Sequence, residues 1–219
     1  MSMKKPHMSS EGPFYWIART FRKMHSLYLK WTYPFASVGH HFSAHPSCDI
    51  RRSVSGFMRI GDFVLLEKNV RLDVPVDPTG EDLVILIGDR CAFGQRATIL
   101  AINRVEIRNN SIFAPSVLIT DHKHEFEDVT IPIRDQGGSK GGTVVVEEGC
   151  WIGFGTAIVS TEGELVIGKN SVVGANSLVT RSIPPYSVVT GNPARVVKHF
   201  DLEKGEWVLG SSGVQTAKK

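Results

Sequence analysis

The segment 119–124 brings two histidines and an aspartate together, and these residue types can move protons. His122 directly follows Asp121, and His124 lies two residues further along the chain. An imidazole ionises near neutral pH, so it can take up a proton and return it within one reaction. Either Asp121 or Glu125 could orient the ring through its second nitrogen, and the sequence leaves the choice between them open.

The elements that must position this segment come from a six-residue repeat, which occurs ten times between Ile60 and Leu178. Each repeat has an apolar residue, usually followed by Gly, and a small or β-branched residue four positions after the first. The repeats open with Ile60-Gly61, Leu66-Glu67, Ile87-Gly88, Phe93-Gly94, Ile107-Arg108, Phe113-Ala114, Val146-Glu147, Ile152-Gly153, Ile167-Gly168 and Val173-Gly174. This period matches neither a helix nor a simple strand; it is typical of stacked coils and predicts an all-β solenoid.

The repeat is interrupted at residues 73–84, 120–145 and 159–165. The longest interruption, 120–145, contains His122 and His124. Because loops on a rigid scaffold commonly carry function, this excursion is the expected location of the chemistry. Its glycine-rich run, residues 137–142, lacks the strand-loop-helix context of a phosphate cradle and is interpreted as a flexible arm.

The chain is expected to have three units: a leader and helix at 1–53, the solenoid domain at 54–198 and a tail at 199–219. Apolar residues at 14, 17, 21, 24, 28 and 31 predict an amphipathic N-terminal helix. The helix should pack on the solenoid or on a neighbouring subunit; alternatively, this basic amphipathic helix makes a weak contact with a membrane surface. Residues 32–56 are expected to be irregular, and residues 199–219 to form a short helix followed by a polar tail.

Composition further limits the classes of protein to which this chain could belong. The net charge of +3 gives no sign of nucleic-acid binding, and no apolar run is long enough to span a membrane. The start of the sequence lacks the apolar stretch of a signal peptide, so a cytoplasmic protein is expected. Cys91 and Cys150 occupy the small position of a repeat, which predicts packed, reduced thiols.

The repeats, the Thr120-Asp121-His122 segment, the Trp151-Ile152-Gly153 coil opening and the closing residues 191–197 (Gly-Asn-Pro-Ala-Arg-Val-Val) resemble the hexapeptide-repeat acyltransferases. The resemblance covers about residues 54–198 and is greatest for the maltose/galactoside and capsular-polysaccharide O-acetyltransferase branch. It implies a left-handed parallel β-helix with three repeats to a turn. It also implies a homotrimer with active sites between subunits, and acetyl-CoA as the usual donor.

The resemblance implies that His122 is the general base that removes the proton of a sugar hydroxyl as it attacks the thioester, with His124 as the competing candidate. Backbone N–H groups of a facing coil would meet the oxyanion. Matching motif to motif, the expected CoA-binding residues are Phe154, Ala175, Thr180, Arg181, Arg195 and Lys198. The predicted function is transfer of acetyl from acetyl-CoA to a sugar or polysaccharide precursor, with no metal cofactor.

Several alternatives stay open at this point. The stretch 159–165 is three residues longer than the family pattern, which puts the identity of the acyl donor in doubt. The acceptor could be a nucleotide-sugar amine or serine, or the chain could be a non-catalytic trimeric scaffold. The related carbonic-anhydrase-like β-helices bind zinc through three histidines. Between Ile60 and Val197 the chain has only His122 and His124, so that class is not expected, and neither is a metal site at His40, His41 and His45.

Overall fold

The computed structural model describes residues 13–75 and 82–210, with side chains described from residue 16 onward. The predicted leader at residues 1–12 and the polar tail from residue 211 lie outside the described residues. The turn cluster at 73–84 falls partly outside them as well.

The described chain begins with one helix and continues with short strands. The helix α1 is Pro13–Thr32. The strands are β1 (Ser37–Val38), β2 (Ser43–Ala44), β3 (Asp49–Ile50), β4 (Met58–Ile60), β5 (Leu65–Leu66), β6 (Arg71–Asp73), β7 (Ile85–Ile87), β8 (Ala92–Phe93), β9 (Thr98–Leu100), β10 (Arg104–Ile107), β11 (Ile112–Phe113), β12 (Leu118–Thr120), β13 (Thr143–Val146), β14 (Trp151–Ile152), β15 (Ala157–Val159), β16 (Glu164–Ile167), β17 (Val172–Val173), β18 (Leu178–Val179), β19 (Ser187–Thr190), β20 (Arg195–Asp201) and β21 (Glu206–Leu209). Two 3-10 segments, Arg52–Phe57 and Ile133–Asp135, interrupt the series.

Successive strands visit three sheets in rotation. Sheet I has the order β1-β4-β7-β10-β13-β16, sheet II begins β2-β5-β8-β11-β14-β17-β19, and sheet III contains β3-β6-β9-β12-β15-β18. All pairs among these strands are parallel, so each circuit of three strands forms one coil that stacks on the previous coil. The stacked parallel sheets predicted from the repeat are therefore confirmed.

The first apolar residue of each repeat points into the space between the sheets. Ile60, Ile87 and Ile107 form such a row in sheet I, and Phe93 and Phe113 stack with ring centroids 4.6 Å apart in sheet II. The small or β-branched residue of each repeat is buried beside these rows; the set is Val64, Val70, Cys91, Ala97, Ser111, Val117, Cys150, Thr156, Ser171 and Ser177. Repeats of one size thus give a continuous core along the stack.

The coils begin earlier than the sequence interpretation placed them. Strands β1 to β3 lie in residues 37–50, within the stretch that was expected to be irregular, and they form the first coil. Val38, Ala44 and Ile50 have the six-residue spacing of the repeat, but a single methyl group at Ala44 makes a weak apolar signal. The expected start of the coils at residue 54 is therefore too late.

Up to residue 210, where the description ends, the chain after the last coil forms strands and not the predicted short helix. Strand β19 pairs in parallel with β17, and β20 then returns antiparallel to β19 and continues into a hairpin with β21. Asp201 accepts backbone hydrogen bonds from Glu203 and Lys204, and Gly205 has a φ of +69°, so the hairpin turn is built locally. Phe200 and Trp207 make an edge contact across the hairpin.

The helix α1 forms as predicted and lies against the first coil, where it contacts β2. It docks through Arg22, Ser26 and the buried Leu29, and its predicted apolar stripe faces away from the coils. The predicted packing of the helix on the solenoid is confirmed, but the apolar stripe does not make this contact. Among the described residues, no helix has the length and apolar character needed to cross a membrane.

Candidate active site

The excursion leaves the coils after β12 and rejoins them at β13, so it spans residues 121–142. It is a hairpin-like arm: His124 and Gly138 form an antiparallel bridge, and Ser139 donates its backbone N–H to the Lys123 carbonyl at 2.9 Å. The predicted glycine-rich arm, residues 137–142, is its return segment. Gly142 donates to the Asp121 carbonyl at 2.6 Å, so the two ends of the arm meet beside His122.

Asp121 is fully buried at the base of this arm and accepts hydrogen bonds at both carboxylate oxygens. The backbone N–H groups of Ile102, Asn103 and Arg104 donate to it over 2.8–3.1 Å. Ile102 and Asn103 lie in the turn between β9 and β10, and Arg104 is the first residue of β10, one coil before the arm. A carboxylate can only accept hydrogen bonds, and it is surrounded here by donors. The arrangement fixes the carboxylate in one position.

His122 receives its orientation from this carboxylate. Its Nδ1 lies 3.0 Å from Asp121 Oδ1 and 3.2 Å from Thr120 Oγ1, and its side chain is 19% exposed. When Nδ1 carries the proton, it donates to the carboxylate, and the Nε2 lone pair is then available as an acceptor. The ring is thus held by its δ side with its ε side available for a substrate.

The structure distinguishes between the candidates that the sequence left open. Asp121, and not Glu125, contacts the His122 ring, since Glu125 pairs with the Lys123 ammonium at 3.9 Å. His124 is exposed, and its backbone pairs with Gly138 across the arm. His122 therefore has the geometry of a positioned base, and among the two histidines it alone is hydrogen-bonded to a buried carboxylate in the described structure.

The expected CoA-binding residues lie in several places on the coils. Phe154 and Ala175 occupy equivalent positions one coil apart, at the corner between sheets II and III, and the Phe154 carbonyl accepts the Asn176 N–H at 2.7 Å. Both are exposed. This corner is at the opposite end of the sheet III strands from His122. The described chain therefore does not bring these two residues to the imidazole.

Thr180 and Arg181 are nearer to His122. In the register of sheet III, Thr120 lies beside Val159, and Val159 in turn lies beside Thr180, which directly follows β18. Thr120 and Thr180 are therefore two strand spacings apart, roughly 10 Å along the stack. Both Thr180 and Arg181 are exposed. The structure thus brings this pair to the same edge as the catalytic candidate.

Arg195 and Lys198 lie on β20, beyond the last coil. Both are exposed, and the Arg195 guanidinium reaches the Ala194 carbonyl at 2.9 Å. The neighbouring Ala194 N–H donates to Leu178 at the start of β18, so the strand begins at the sheet II–III corner. Arg195 is therefore on the side of Phe154 and Ala175, and it is separated from His122.

The lengthened stretch 159–165 lies at the edge that carries His122. Ser160 donates its N–H to the Thr120 carbonyl at 3.0 Å, and a Cβ on Gly142 would come within 2.7–3.0 Å of atoms of Ser160, Glu162 and Gly163. The extra residues therefore support the return of the arm. The extra length of this stretch raised a question about the acyl donor, but its described contacts are with the base of the arm.

One further residue escaped the sequence interpretation. The Asn103 side chain donates to the Gly142 carbonyl at 2.8 Å and lies 3.3 Å from Thr143 Oγ1, while its backbone N–H binds Asp121. It thus holds both the carboxylate and the end of the arm. The pattern offered one hint, since residues 101–104 break the repeat just before β10. No group of three or more metal-ligating side chains occurs within the described ranges.

Two curated proteins resemble parts of this chain. The acetyltransferase Rv3034c of Mycobacterium tuberculosis is 33% identical over 115 residues, which is 52% of this chain and 37% of that protein. The lipopolysaccharide biosynthesis O-acetyl transferase WbbJ of Escherichia coli is 30% identical over 130 residues, or 57% of this chain and 65% of that protein. Both names give the activity as provisional. The chain spans less than two thirds of the length of either relative.

Solved structures resemble the fold over more of the chain. A variant of AntD, an N-acyltransferase from Bacillus cereus, in complex with dTDP and coenzyme A, has a TM-score of 0.62 at 21% identity and covers 75% of this chain and 84% of its own. A maltose O-acetyltransferase from Clostridium difficile has a TM-score of 0.53 at 23% identity and covers 87% of this chain and 90% of its own. At these identities the likeness concerns the fold alone.

No protein-family model matches the chain. The repeat, the three parallel sheets and the named relatives nevertheless agree with one another. The chain is thus similar in sequence to proteins named as acetyltransferases, and it shares its fold with solved hexapeptide-repeat acetyltransferases.

Proposed function

We propose that this chain is a CoA-dependent O-acetyltransferase that moves an acetyl group from acetyl-CoA to a hydroxyl of a sugar or polysaccharide precursor. The observation that carries the proposal is the pair formed by His122 and the buried Asp121 carboxylate. The name of the Escherichia coli relative, an O-acetyl transferase of lipopolysaccharide biosynthesis, supports a saccharide acceptor.

The geometry fits a direct transfer without a covalent enzyme intermediate. His122 Nε2 removes the proton of the acceptor hydroxyl while the hydroxyl oxygen attacks the thioester carbonyl carbon. The tetrahedral intermediate then expels the CoA thiolate, and Nε2 returns the proton to its sulfur. Asp121 accepts from Nδ1 throughout and stabilises the imidazolium that forms between these steps. The products are the acetyl ester and free CoA.

The donor site and the assembly belong to the same proposal. Arg195 and Lys198 would bind the CoA phosphates, Phe154 and Ala175 would flank the pantetheine arm, and Thr180 and Arg181 would contact the donor nearer to His122. Because Phe154, Ala175 and Arg195 lie across sheet III from His122, one chain does not form a cleft that uses all of them. A second subunit that brings its own corner to His122 would complete the site. This requirement supports a homotrimer of left-handed parallel β-helices.

The proposed acyltransferase domain starts at the first coil, near residue 37, and ends in β20, with the arm 121–142 as its acceptor side. We expect the reaction to occur in the cytoplasm, where CoA thioesters are made. The unpaired state of Cys48, Cys91 and Cys150 is compatible with such a reducing compartment.

The test is a thiol-release assay with acetyl-CoA and a panel of acceptors: neutral sugars, nucleotide sugars with a free hydroxyl, an amino nucleotide sugar and serine. Release that depends on a sugar hydroxyl and is lost in His122→Ala would support the proposal. Release only with the amino nucleotide sugar would instead favour N-acyl transfer, the activity named for AntD. The absence of both acetyl-CoA binding and release would indicate a non-catalytic scaffold.

A further inference from the structure

The helix α1 contacts the rest of the chain through a narrow face. Leu29 is 2% exposed, and Ser26 Oγ accepts the Ala44 N–H at 2.9 Å. Arg22, one turn earlier, forms an ion pair with Glu67 at 2.8 Å. These three residues lie on one side of the helix at spacings of three and four, so they define the face that is docked on the first two coils.

The opposite face of α1 carries large apolar side chains that the described chain does not cover. Exposure there reaches 83% at Trp31 and 60% at Phe21 and Met24. The residues follow the helical spacing and form the outer stripe Ile17, Phe21, Met24, Leu27, Tyr28 and Trp31. A contiguous apolar surface of this kind marks an interaction site.

The charges beside the outer stripe indicate what kind of surface it meets. Residues 13–32 contain Arg19, Arg22, Lys23 and Lys30 and no acidic residue. Between α1 and the first two coils lies a cleft of about 760 Å³, whose lining includes Arg19, Lys23, Lys30 and Lys68. The one carboxylate among its lining residues, Glu67, is already paired with Arg22. The cleft therefore presents a surplus of positive charge next to an apolar surface.

We propose that α1 lies in the plane of an anionic membrane surface, with the outer stripe at the boundary of the acyl chains and the basic cleft facing lipid phosphates. Basic residues beside a stripe of aromatic and aliphatic side chains are the pattern of helices that rest on membranes. Anionic lipids supply the negative charge that the cleft lacks. A second copy of α1 would add an apolar stripe but also further cations, and not the negative charge that the cleft lacks, so self-association is the less suitable way to cover it.

The inference goes beyond acyl transfer, because it concerns where the protein is held. It also places no requirement on His122 or on the donor site, so it stands or fails independently of the proposed activity. A helix of this kind would retain the protein beside membrane-bound saccharide acceptors.

The experiment is flotation of the full chain with two kinds of vesicle. One is phosphatidylcholine alone, and the other contains roughly one third phosphatidylglycerol, which gives a negative surface. We expect binding to the second kind, weakened as salt is raised to about 1 M, where the screening length falls to about 3 Å. Equal binding to both kinds, or binding to neither, would overturn the proposal.

Paired variants separate the two parts of the surface. Lys23→Gln with Lys30→Gln should weaken binding about 25-fold, since each cation near an anionic surface contributes about fivefold. Phe21→Ser with Met24→Ser should weaken it by at least about 100-fold if both side chains enter the apolar boundary. Matched controls at the other end of the coils, Lys169→Gln with Lys204→Gln and Leu202→Ser with Leu209→Ser, should bind like the wild type.

A second measurement keeps the test independent of the variants' folding. In a Trp16→Phe, Trp151→Phe, Trp207→Phe background, Trp31 is the remaining tryptophan, and brominated lipids in anionic vesicles should quench its fluorescence. Absence of quenching in a protein that floats with the vesicles would overturn the proposed orientation of α1. If the outer-stripe variants instead shift a larger species to a smaller one in solution, with no change in vesicle binding, the outer stripe is an interface between copies and the membrane proposal is wrong.

Discussion

The Asp121–His122 site and the outer stripe of α1 differ in where their side chains find partners. At the site, the chain itself supplies every described partner: three backbone N–H groups and one imidazole converge on a fully buried carboxylate. On α1, the chain supplies partners only for the docked face and leaves the outer stripe uncovered. The Asp121 carboxylate finds its partners within the fold, whereas the outer stripe depends on something outside the described chain.

This difference predicts different consequences of substitution in the two regions. Changes at the site should alter the reaction or the stability of the fold, because its groups have no substitute partners. Changes on the outer stripe should leave the isolated protein almost unaffected and alter only what it binds.

His122→Ala should lower the rate of acetyl transfer by about 10²–10⁴-fold, since it removes the proposed general base. The free energy of unfolding should change little, because the side chain is partly exposed and is not part of the core. Thiol release and urea unfolding measure the two quantities. His124→Ala is the matched control and should retain near-normal turnover; a similar loss in both variants would contradict the assignment of the base.

Asp121→Ala should lower the free energy of unfolding by about 3 kcal/mol, because backbone N–H groups of residues 102–104 would lose their buried acceptor. Asp121→Asn retains one acceptor oxygen and should remain closer to the wild type in stability. Its activity should nevertheless fall at least about tenfold, because the His122 ring loses its carboxylate partner. Unfolding curves and initial rates would measure both; an Asn variant with full activity would remove Asp121 from the proposed mechanism.

The two faces of α1 should differ when each loses an apolar side chain. Leu29→Ala should cost about 2–3 kcal/mol in stability, because Leu29 is buried against the first coil. Phe21→Ser should change stability by less than about 0.5 kcal/mol, since the side chain is 60% exposed. Equilibrium unfolding of the two variants without vesicles makes the comparison, and comparable losses would mean that the outer stripe is already covered in the free protein.

The smallest expected effect concerns the three thiols. Burial raises the pKa of Cys48, Cys91 and Cys150 to about 11. At pH 8 only about one thiol in a thousand would be ionised, so the native protein should react very slowly with DTNB. Cys48 lies beside Glu67, the partner of Arg22, so release of α1 should expose it first. Faster labelling of Cys91 or Cys150 than of Cys48 would contradict that order.

The sequence predicted the coils and the helix, because a repeat of fixed length and a helical period are local signals. The family resemblance singled out His122, and its role stays a prediction. The sequence did not distinguish Asp121 from Glu125. The partners that select Asp121 are backbone groups at 102–104, which become neighbours only when one coil stacks on the next. The arm's attachment through Asn103 escaped prediction for the same reason.

Other sequence predictions differ from the structure because a local pattern does not specify which way an element faces or what it pairs with. The helical period at 17–31 shows that α1 has an apolar side, but it does not specify which side meets the coils. The first coil was missed because Ala44 gives little apolar signal. The β20–β21 hairpin was missed because its stability comes from pairing with β19, a partner outside the segment. The distribution of the candidate CoA residues over separate corners likewise follows from the stacking.

The ends of the stack also bear on solubility. A stack of parallel strands ends in an edge strand with unpaired backbone N–H and C=O groups. These groups can pair with an edge strand of another molecule, and repeated pairing would produce a filament. Here α1 lies over the β2 end of sheet II, and the β20–β21 hairpin reverses strand direction at the other end. Both devices interrupt in-register addition of a further chain. The helix whose apolar side faces outward thus also covers the first strand of sheet II and opposes polymerisation at that end of the stack.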